Sequence, residues 1–272
     1  MTKKMQKPMK ELKDLNLLDD FLFKELAEDQ EAVESILEII LGDEIKLQES
    51  PKTEKEERSN PLLKQVELDV FAIDEESVYD IEVQQEMKND LRKRIRFYRG
   101  LLDRQLLKPG APNYNEMKNL YIIMIAPFDL FGDERYKYTF KMTCQENKDI
   151  ELEDEQTVIF LNANGKNREG ASQELIDMLK YFRKTSDDTE NKSNSDKIKL
   201  LHKKVDIIKS SEKVGVKLMN SWEKELEIKE EGREEGAQEQ KVEIARKMKE
   251  KGMKIKEIFD LTGLSEKEIN EL

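Results

Sequence analysis

Two neighbouring segments of the chain alternate apolar and acidic residues in the way that paired β-strands do. The first has Val66, Leu68, Val70 and Ala72 on one side and Glu67, Asp69 and Phe71 on the other. The second has Tyr79, Ile81 and Val83 on one side and Asp80, Glu82 and Gln84 on the other. The polar residues 74–77 between them favour a turn. The pattern therefore predicts an antiparallel hairpin with one acidic side.

The predicted register of this hairpin brings two carboxylates together. If the loop is centred between Glu75 and Glu76, Asp69 lies opposite Glu82, and opposed side chains in such pairs have Cβ atoms roughly 4.5 to 5.5 Å apart. Two unit charges about 4 Å apart repel by roughly 4 kcal/mol at an effective dielectric near 20. A divalent cation would offset this repulsion, and Mg²⁺ prefers carboxylate and water oxygens.

Such an ion can lower the pKa of a bound water and stabilise charge on a phosphate. The hairpin therefore points to a metal-dependent phosphodiester site. Taken alone, the residues leave a second interpretation open, in which the acidic side of the strands simply faces solvent.

The remaining pattern predicts an α/β domain with a mixed sheet. Helices are expected around residues 17–41, the hairpin around 65–84, and buried strands at 120–126 and 156–162. A further helix should run through Leu175, Leu179 and Phe182. Residues 44–61 are highly charged and lack hydrophobic periodicity, so a loop is expected there.

A basic helix is predicted from Glu86 to Lys108. Its apolar stripe consists of Leu91, Ile95, Tyr98, Leu102 and Leu106. Its other faces carry the candidate DNA contacts Lys88, Arg92, Arg94, Arg96 and Arg99. A positive surface next to the carboxylates would attract phosphate without reading sequence. The alternative is an ordinary solvated helix face.

Several segments, together with their order along the chain, resemble the recombination-promoting nuclease family, the PD-(D/E)XK nuclease family transposases. The central motifs are Lys64-x4-Asp69-Val70, Ile81-Glu82-Val83-Gln84 and Arg94-Ile95-Arg96-Phe97-Tyr98. The flanking ones are Asp20-Phe21-Leu22-Phe23-Lys24, Gln105 to Gly110 with Tyr121 to Ile123, and the tail segments Glu231 to Gly236 and Leu261 to Ser265.

The resemblance implies a restriction-endonuclease-like core that cuts DNA with Mg²⁺, or with Mn²⁺ as an alternative ion. Asp69 and Glu82 would hold the metal and form the catalytic set with Gln84. Gln84 stands where lysine is usual in the superfamily, and an amide offers hydrogen bonds without charge, so slow cleavage is expected. Asp20 is a third candidate metal ligand; its alternative role, shared with Asp19, is to cap the first helix.

Composition sets the predicted domain limits. Residues 185–196 are polar and turn-rich and are expected to form a linker between a nuclease-like domain, residues 1–184, and an all-helical C-terminal tail, residues 197–272. Within the tail, Gly232 and Gly236 favour a flexible connector; the alternative is a helix that pairs closely with another chain. Gly252 and Gly263 should end two helices, and Ser265 with Glu268 should cap a third. This helix-turn-helix-like module would contact DNA, form a homo-oligomer, or serve only as a structural unit.

Composition narrows the chemistry. With 272 residues, 37% hydrophobic and 40% charged, the chain suits one core domain plus an appendage. A net charge of -12 predicts weak, salt-sensitive DNA binding. A single Cys144 and a single His202 argue against a Cys/His zinc site or nucleophilic pair. The sequence has no pattern for a nucleotide cofactor or a membrane span, so a cytoplasmic location is expected. The resemblance implies a bacterial origin.

Three functions follow as hypotheses. The leading one is a Mg²⁺-dependent endodeoxyribonuclease associated with transposition or recombination. The alternatives are a catalytically inactive interaction protein that keeps the nuclease fold and a nuclease that cleaves RNA.

Overall fold

A six-stranded mixed sheet organises the first part of the chain. The computed structural model describes residues 10–57, 66–106 and 113–272. The strands are β1 (Lys52–Glu57), β2 (Val66–Ile73), β3 (Ser77–Val83), β4 (Asn119–Ala126), β5 (Lys137–Phe140) and β6 (Gln156–Asn162). Their order is β1-β2-β3-β4-β6-β5, with β3, β4 and β6 parallel and the outer pairs antiparallel.

Helices cover the sheet and continue the chain beyond it. They are α1 (Asp20–Ala27), α2 (Gln30–Leu41), α3 (Leu91–Leu106), α4 (Gln173–Arg183), α5 (Asp187–Glu190), α6 (Asp196–Lys209), α7 (Glu212–Glu250), α8 (Ile255–Thr262) and α9 (Glu266–Glu271). The predicted α/β fold, a mixed sheet flanked by helices with a helical C-terminal region, is confirmed.

The α3 helix lies over the acidic side of the hairpin. Its buried residues Leu91, Ile95, Tyr98 and Leu102 share a core with Phe71, Val78, Leu120, Ile122, Met124 and Phe160. Because side chains alternate along a strand, Asp80 and Glu82 face the same way as Val78. They are 0% and 3% exposed. The interpretation that this side faces solvent is therefore wrong.

The other helices of this region pack together. The α1 helix contacts α2, α6, β1 and β2, and α2 contacts α4 and α6. Asp29 begins α2 by accepting a hydrogen bond from the N–H of Ala32, and Gly42 ends it with a φ of 91°. The buried Leu22, Phe23 and Leu26 anchor α1, and their burial fixes which face of α1 is turned away from the core.

The compact first unit extends past the predicted linker. The Thr185 hydroxyl accepts a hydrogen bond from the Leu17 N–H at 2.9 Å. The α6 helix buries Ile198, Leu201 and Val205, and Lys204 pairs with Asp29 at 2.7 Å. The chain divides after Glu212, rather than at the predicted linker 185–196 with a tail beginning at residue 197.

Three further expectations need correction. The predicted loop at 44–61 contains β1, an edge strand that needs no apolar pattern because it pairs with β2 through its backbone. The short strand β5 was not anticipated. The basic helix begins at Leu91 rather than Glu86. Lys64 and Lys108 lie outside the described residues.

The second unit, residues 213–272, is helical throughout its length except for short turns. Ala245, Ile258, Leu264 and Ile269 form its buried core. Gly252 and Gly263 have φ angles of 76° and 72° after α7 and α8, and Ser265 with Glu268 forms the capping box of α9, as predicted.

The 39-residue α7 helix runs through Gly232 and Gly236. The predicted flexible connector is therefore wrong. Ion pairs at i,i+4, such as Glu225–Lys229 and Glu243–Lys247, support the helix there. None of the helices in the described part of the chain combines the length and the apolar character that crossing a bilayer requires.

Candidate active site

Asp69 and Glu82 meet where the ladder between β2 and β3 ends. The register pairs Val70 with Ile81 and Ile73 with Val78, which is the predicted register and makes Asp69 and Glu82 the next opposed pair. The N–H of Asp69 donates to Oε1 of Glu82 at 3.2 Å, and the N–H of Val83 donates to Oδ2 of Asp69 at 3.0 Å. Each carboxylate therefore uses one oxygen to join the two strands.

The second oxygen of each carboxylate faces a cation from a covering helix. Oδ1 of Asp69 lies 3.6 Å from Nζ of Lys24 on α1. Oε2 of Glu82 lies 3.7 Å from Nη2 of Arg94 on α3. The sheet supplies these two acids, and α1 and α3 supply the compensating charge.

Asp20 joins this group from the first turn of α1. Its Oδ2 lies 3.1 Å from Nζ of Lys24, one helical turn away along α1, and its side chain is about half exposed. The helix spacing places Asp20 and Lys24 on one face. The negative charge of Asp20 acts on Asp69. The alternative capping role is not seen, because Asp19 precedes the helix but its side chain makes no capping hydrogen bond.

Burial is the main cause that raises the pKa of Asp69, and the negative charge of Asp20 adds to it. Lys24, the Val83 N–H and Arg94 act in the opposite direction. Burial also raises the pKa of Glu82, followed by the charges of Asp80 and Asp69. The two carboxyls therefore resist ionisation unless a positive charge joins them.

Gln84 takes part in the site through Arg94. Nη2 of Arg94 donates to Oε1 of Gln84 at 2.7 Å, and the guanidinium lies over the Tyr98 ring at 5.6 Å from its centroid. The Nε atom of Arg94 is buried and has no hydrogen-bond acceptor among the described residues. Arg94 is therefore held between Gln84, Glu82 and Tyr98 rather than directed at solvent.

The donor set fits a hard divalent cation. Its available ligands are carboxylate oxygens, which Mg²⁺ and Mn²⁺ prefer. Among the described residues, Asp69 and Glu82 lie side by side and the negative charge of Asp20 acts on Asp69. A divalent ion would offset the repulsion between such carboxylates. Asp69 and Glu82, with Asp20 at the rim, are the residues that would hold such an ion.

The other predicted DNA contacts differ in how they are held. Lys88 and Arg96 are exposed. Arg92 donates to the Leu130 carbonyl and lies over the Phe131 ring. Arg99 donates from Nε to Oε1 of Gln156 at 2.6 Å. Lys88 and Arg96 are thus available for phosphate, whereas Arg92 and Arg99 already have partners within the protein.

A second acidic group lies on α5 and α6. Nε2 of His202 is 3.3 Å from Oδ1 of Asp187 and 3.5 Å from Oδ2 of Asp206. Its Nδ1 is 3.0 Å from the hydroxyl of the buried Tyr181. Among the described residues, these three have ligand atoms close enough to hold a metal ion. Sequence reasoning missed this cluster because it treated His202 as an isolated polar residue.

Sequence reasoning also gave no role to Lys24 or Asp80. The Asp20–Lys24 spacing was a usable signal, since residues four apart share a helix face. The position of Asp80 on the acidic side was predicted, since it alternates with Glu82 along β3, but its complete burial depends on α3.

Comparison with known proteins agrees with this arrangement. A protein family model described as PD-(D/E)XK nuclease family transposase matches residues 17–249, a range that includes α1, the hairpin and α3. A search of curated proteins found no match, and neither did a search of solved structures.

Proposed function

The chain belongs to the PD-(D/E)XK nuclease family transposases, and from this premise we propose that it is a Mg²⁺-dependent endonuclease that hydrolyses phosphodiester bonds in DNA. The observation that carries the proposal is the pair of opposed carboxylates, Asp69 and Glu82, each with one oxygen bound by the sheet and the other directed at a cation.

Oδ1 of Asp69 and Oε2 of Glu82 are the oxygens that would bind the ion, because the other two accept backbone N–H groups. When bound, a divalent ion lowers the pKa of a coordinated water and stabilises negative charge on the phosphate. In the hydrolysis, a water oxygen bonds to phosphorus and loses its proton while one ester P–O bond breaks, and the leaving oxygen takes up a proton.

The protein orients this reaction through its own residues. Arg94 holds the Gln84 amide and balances the charge of Glu82, so neither side chain is left to rotate freely. The exposed Lys88 and Arg96 lie near this site along the chain, on the residues that lead into and form α3. Contacts from such residues to the DNA backbone position the substrate without reading its sequence, so we propose broad sequence tolerance.

A plasmid assay tests the proposal. Supercoiled DNA is incubated with Mg²⁺ and the full-length protein, the variants Asp69→Asn and Glu82→Gln, and the control Glu44→Gln, whose carboxylate is exposed. The amide variants keep an oxygen for the backbone N–H groups, so the hairpin should persist. We expect both to lose at least about 100-fold in nicking rate, since even residues that only support metal ligands contribute about 10- to 100-fold.

Equal nicking by all four proteins would exclude the site. The alternatives have their own outcomes. Preferential cleavage of labelled RNA over DNA of the same sequence would favour the RNA-cleaving nuclease. Mn²⁺ binding by wild type without cleavage of either polymer would favour the inactive interaction protein, an alternative motivated by Gln84, whose amide has no charge to stabilise the transition state.

A further inference from the structure

Lys24 is an unusually enclosed lysine. Its side chain is only 12% exposed, although lysine side chains are seldom buried unless they are paired. The apolar side of α1, formed by Leu22, Phe23 and Leu26, fixes the helix against the core. Lys24 is thereby held towards the carboxylates rather than extended into solvent.

Its ammonium group reaches two of the acids that form the proposed metal site. Nζ lies 3.1 Å from Oδ2 of Asp20 and 3.6 Å from Oδ1 of Asp69. The second distance matters because Oδ2 of Asp69 already accepts the Val83 N–H. The oxygen that faces Lys24 is therefore the same oxygen that remains for the ion.

Arg94 is a second cation next to the carboxylates among the described residues, and it is held by partners of its own. Arg94 uses its guanidinium for Gln84 and Glu82 and lies over Tyr98. Gln84 offers an amide in place of a charged group. Lys24 is a compact positive charge with three donors, and its Nζ lies next to the oxygen of Asp69 that would hold the ion.

On the basis of the proposed nuclease function, we propose that Lys24 is the catalytic cation of this site. Its ammonium group hydrogen-bonds the attacking water or a non-bridging phosphate oxygen next to the ion and stabilises the negative charge that develops there. A preorganised donor of this kind contributes about 100- to 1000-fold to the rate. Lys24 acts from α1, whereas Asp69 and Glu82 lie on β2 and β3.

The test compares five full-length proteins: wild type, Lys24→Met, Gln84→Lys, the double variant Lys24→Met/Gln84→Lys, and the control Lys46→Met. Lys46 is exposed and pairs only with Glu44 among the described ion pairs. Methionine keeps the unbranched apolar part of lysine and removes the charge. Single-turnover plasmid cleavage with Mg²⁺ gives the rate, calorimetry with Mn²⁺ gives ion binding, and thermal unfolding reports the fold.

We expect Lys24→Met to lose about 100-fold in rate while it still binds Mn²⁺ and unfolds near the wild-type temperature. Gln84 and Glu82 both contact Arg94 and lie on the same side of the strand. A lysine at position 84 would therefore place a positive charge near the ion, and the double variant should recover at least a tenth of the wild-type rate. Lys46→Met should match wild type.

Three results would overturn this role. Cleavage by Lys24→Met at the wild-type rate would exclude the catalytic role of Lys24 and leave the proposed nuclease function intact. Faster cleavage by this variant would instead identify Lys24 as an occupant that competes with the ion. Absence of cleavage by wild type, with Mn²⁺ bound, would overturn the nuclease function itself and this role with it.

Discussion

The backbone N–H of Asp69 donates to the side-chain carboxylate of Glu82, the residue opposite it in the hairpin. The acids of the site are therefore also part of the hydrogen bonding between β2 and β3. A substitution that removes an acceptor, such as alanine, would leave a backbone donor unsatisfied at a cost of about 1 to 3 kcal/mol. Isosteric amides separate the chemical role from this structural role.

Glu82→Gln should change how stability depends on pH. The pKa of Glu82 is raised in the folded protein, so the fold favours its protonated form. The stability that Glu82 contributes is therefore fully present below the ordinary carboxyl pKa and is lost as pH rises through the folded-state pKa. Without metal, the variant should therefore gain stability relative to wild type as pH rises from 5 to 9. Thermal unfolding in EDTA at several pH values measures this difference.

Divalent ions provide the control for this prediction. Mg²⁺ or Ca²⁺ should raise the unfolding temperature of wild type more at pH 9 than at pH 5, and should have little effect on Glu82→Gln. A stability difference between the two proteins that stays constant across this pH range would contradict the proposed cause.

The basic residues of and before α3 should separate into two groups. Lys88→Ala and Arg96→Ala should weaken DNA binding and reduce the slope of log affinity against log salt by about 1 for each lost phosphate contact. Both residues are exposed. Binding of a short duplex in Ca²⁺ at several salt concentrations gives both quantities.

Arg99→Ala is the matched variant from the same helix. Because Arg99 bonds Gln156 of β6, its loss should destabilise the fold by about 1.5 to 3 kcal/mol and leave the salt slope unchanged. An equal effect of all three substitutions on DNA affinity would argue against this division.

Gly232→Ala and Gly236→Ala should each stabilise α7 by about 1 kcal/mol, the helix-propensity difference between the two residues. Both glycines lie inside the helix, and an added Cβ meets no atom within 4 Å. Circular dichroism during urea unfolding measures the gain. Gly252→Ala, at a φ of 76°, should destabilise instead, and a gain there would contradict the assigned turn.

Ile258→Ala should destabilise the second unit by about 2 to 5 kcal/mol, the usual range for removing a buried isoleucine. Ile258 is fully buried in the small core of this unit. Phe259→Ala, on the exposed side of α8, should change stability by about 0.5 kcal/mol or less. Hydrogen exchange of the α8 and α9 amides in the full chain distinguishes the two, and similar protection in both variants would count against this core.

The hairpin was predictable because its information is local. Alternation over β2 and β3 and the polar turn between them set the register that brings Asp69 to Glu82. The helix ends at Gly252 and Gly263 were predictable for the same reason, since a left-handed residue that ends a helix is usually glycine.

Features that depend on distant partners were missed. The edge strand β1 consists of lysine, glutamate and threonine, and only its pairing with β2 makes it a strand. Residues 185–196 have the composition of a linker, but Thr185 bonds Leu17 from the opposite end of the unit. The position of Lys24 against Asp69 requires α1 to pack on β2, which no local pattern specifies.

The shared use of Asp69 and Glu82 by the sheet and by the site has an evolutionary consequence. Mutations that abolish cleavage are not equally tolerated, because loss of either acid also weakens the strand pairing that the fold requires. If Lys24 has the proposed role, a lineage released from selection for nuclease activity should discard this cation on α1 early and retain the acidic pair for longer. Homologues with both acids but an apolar residue in place of Lys24 would then be the expected inactive descendants.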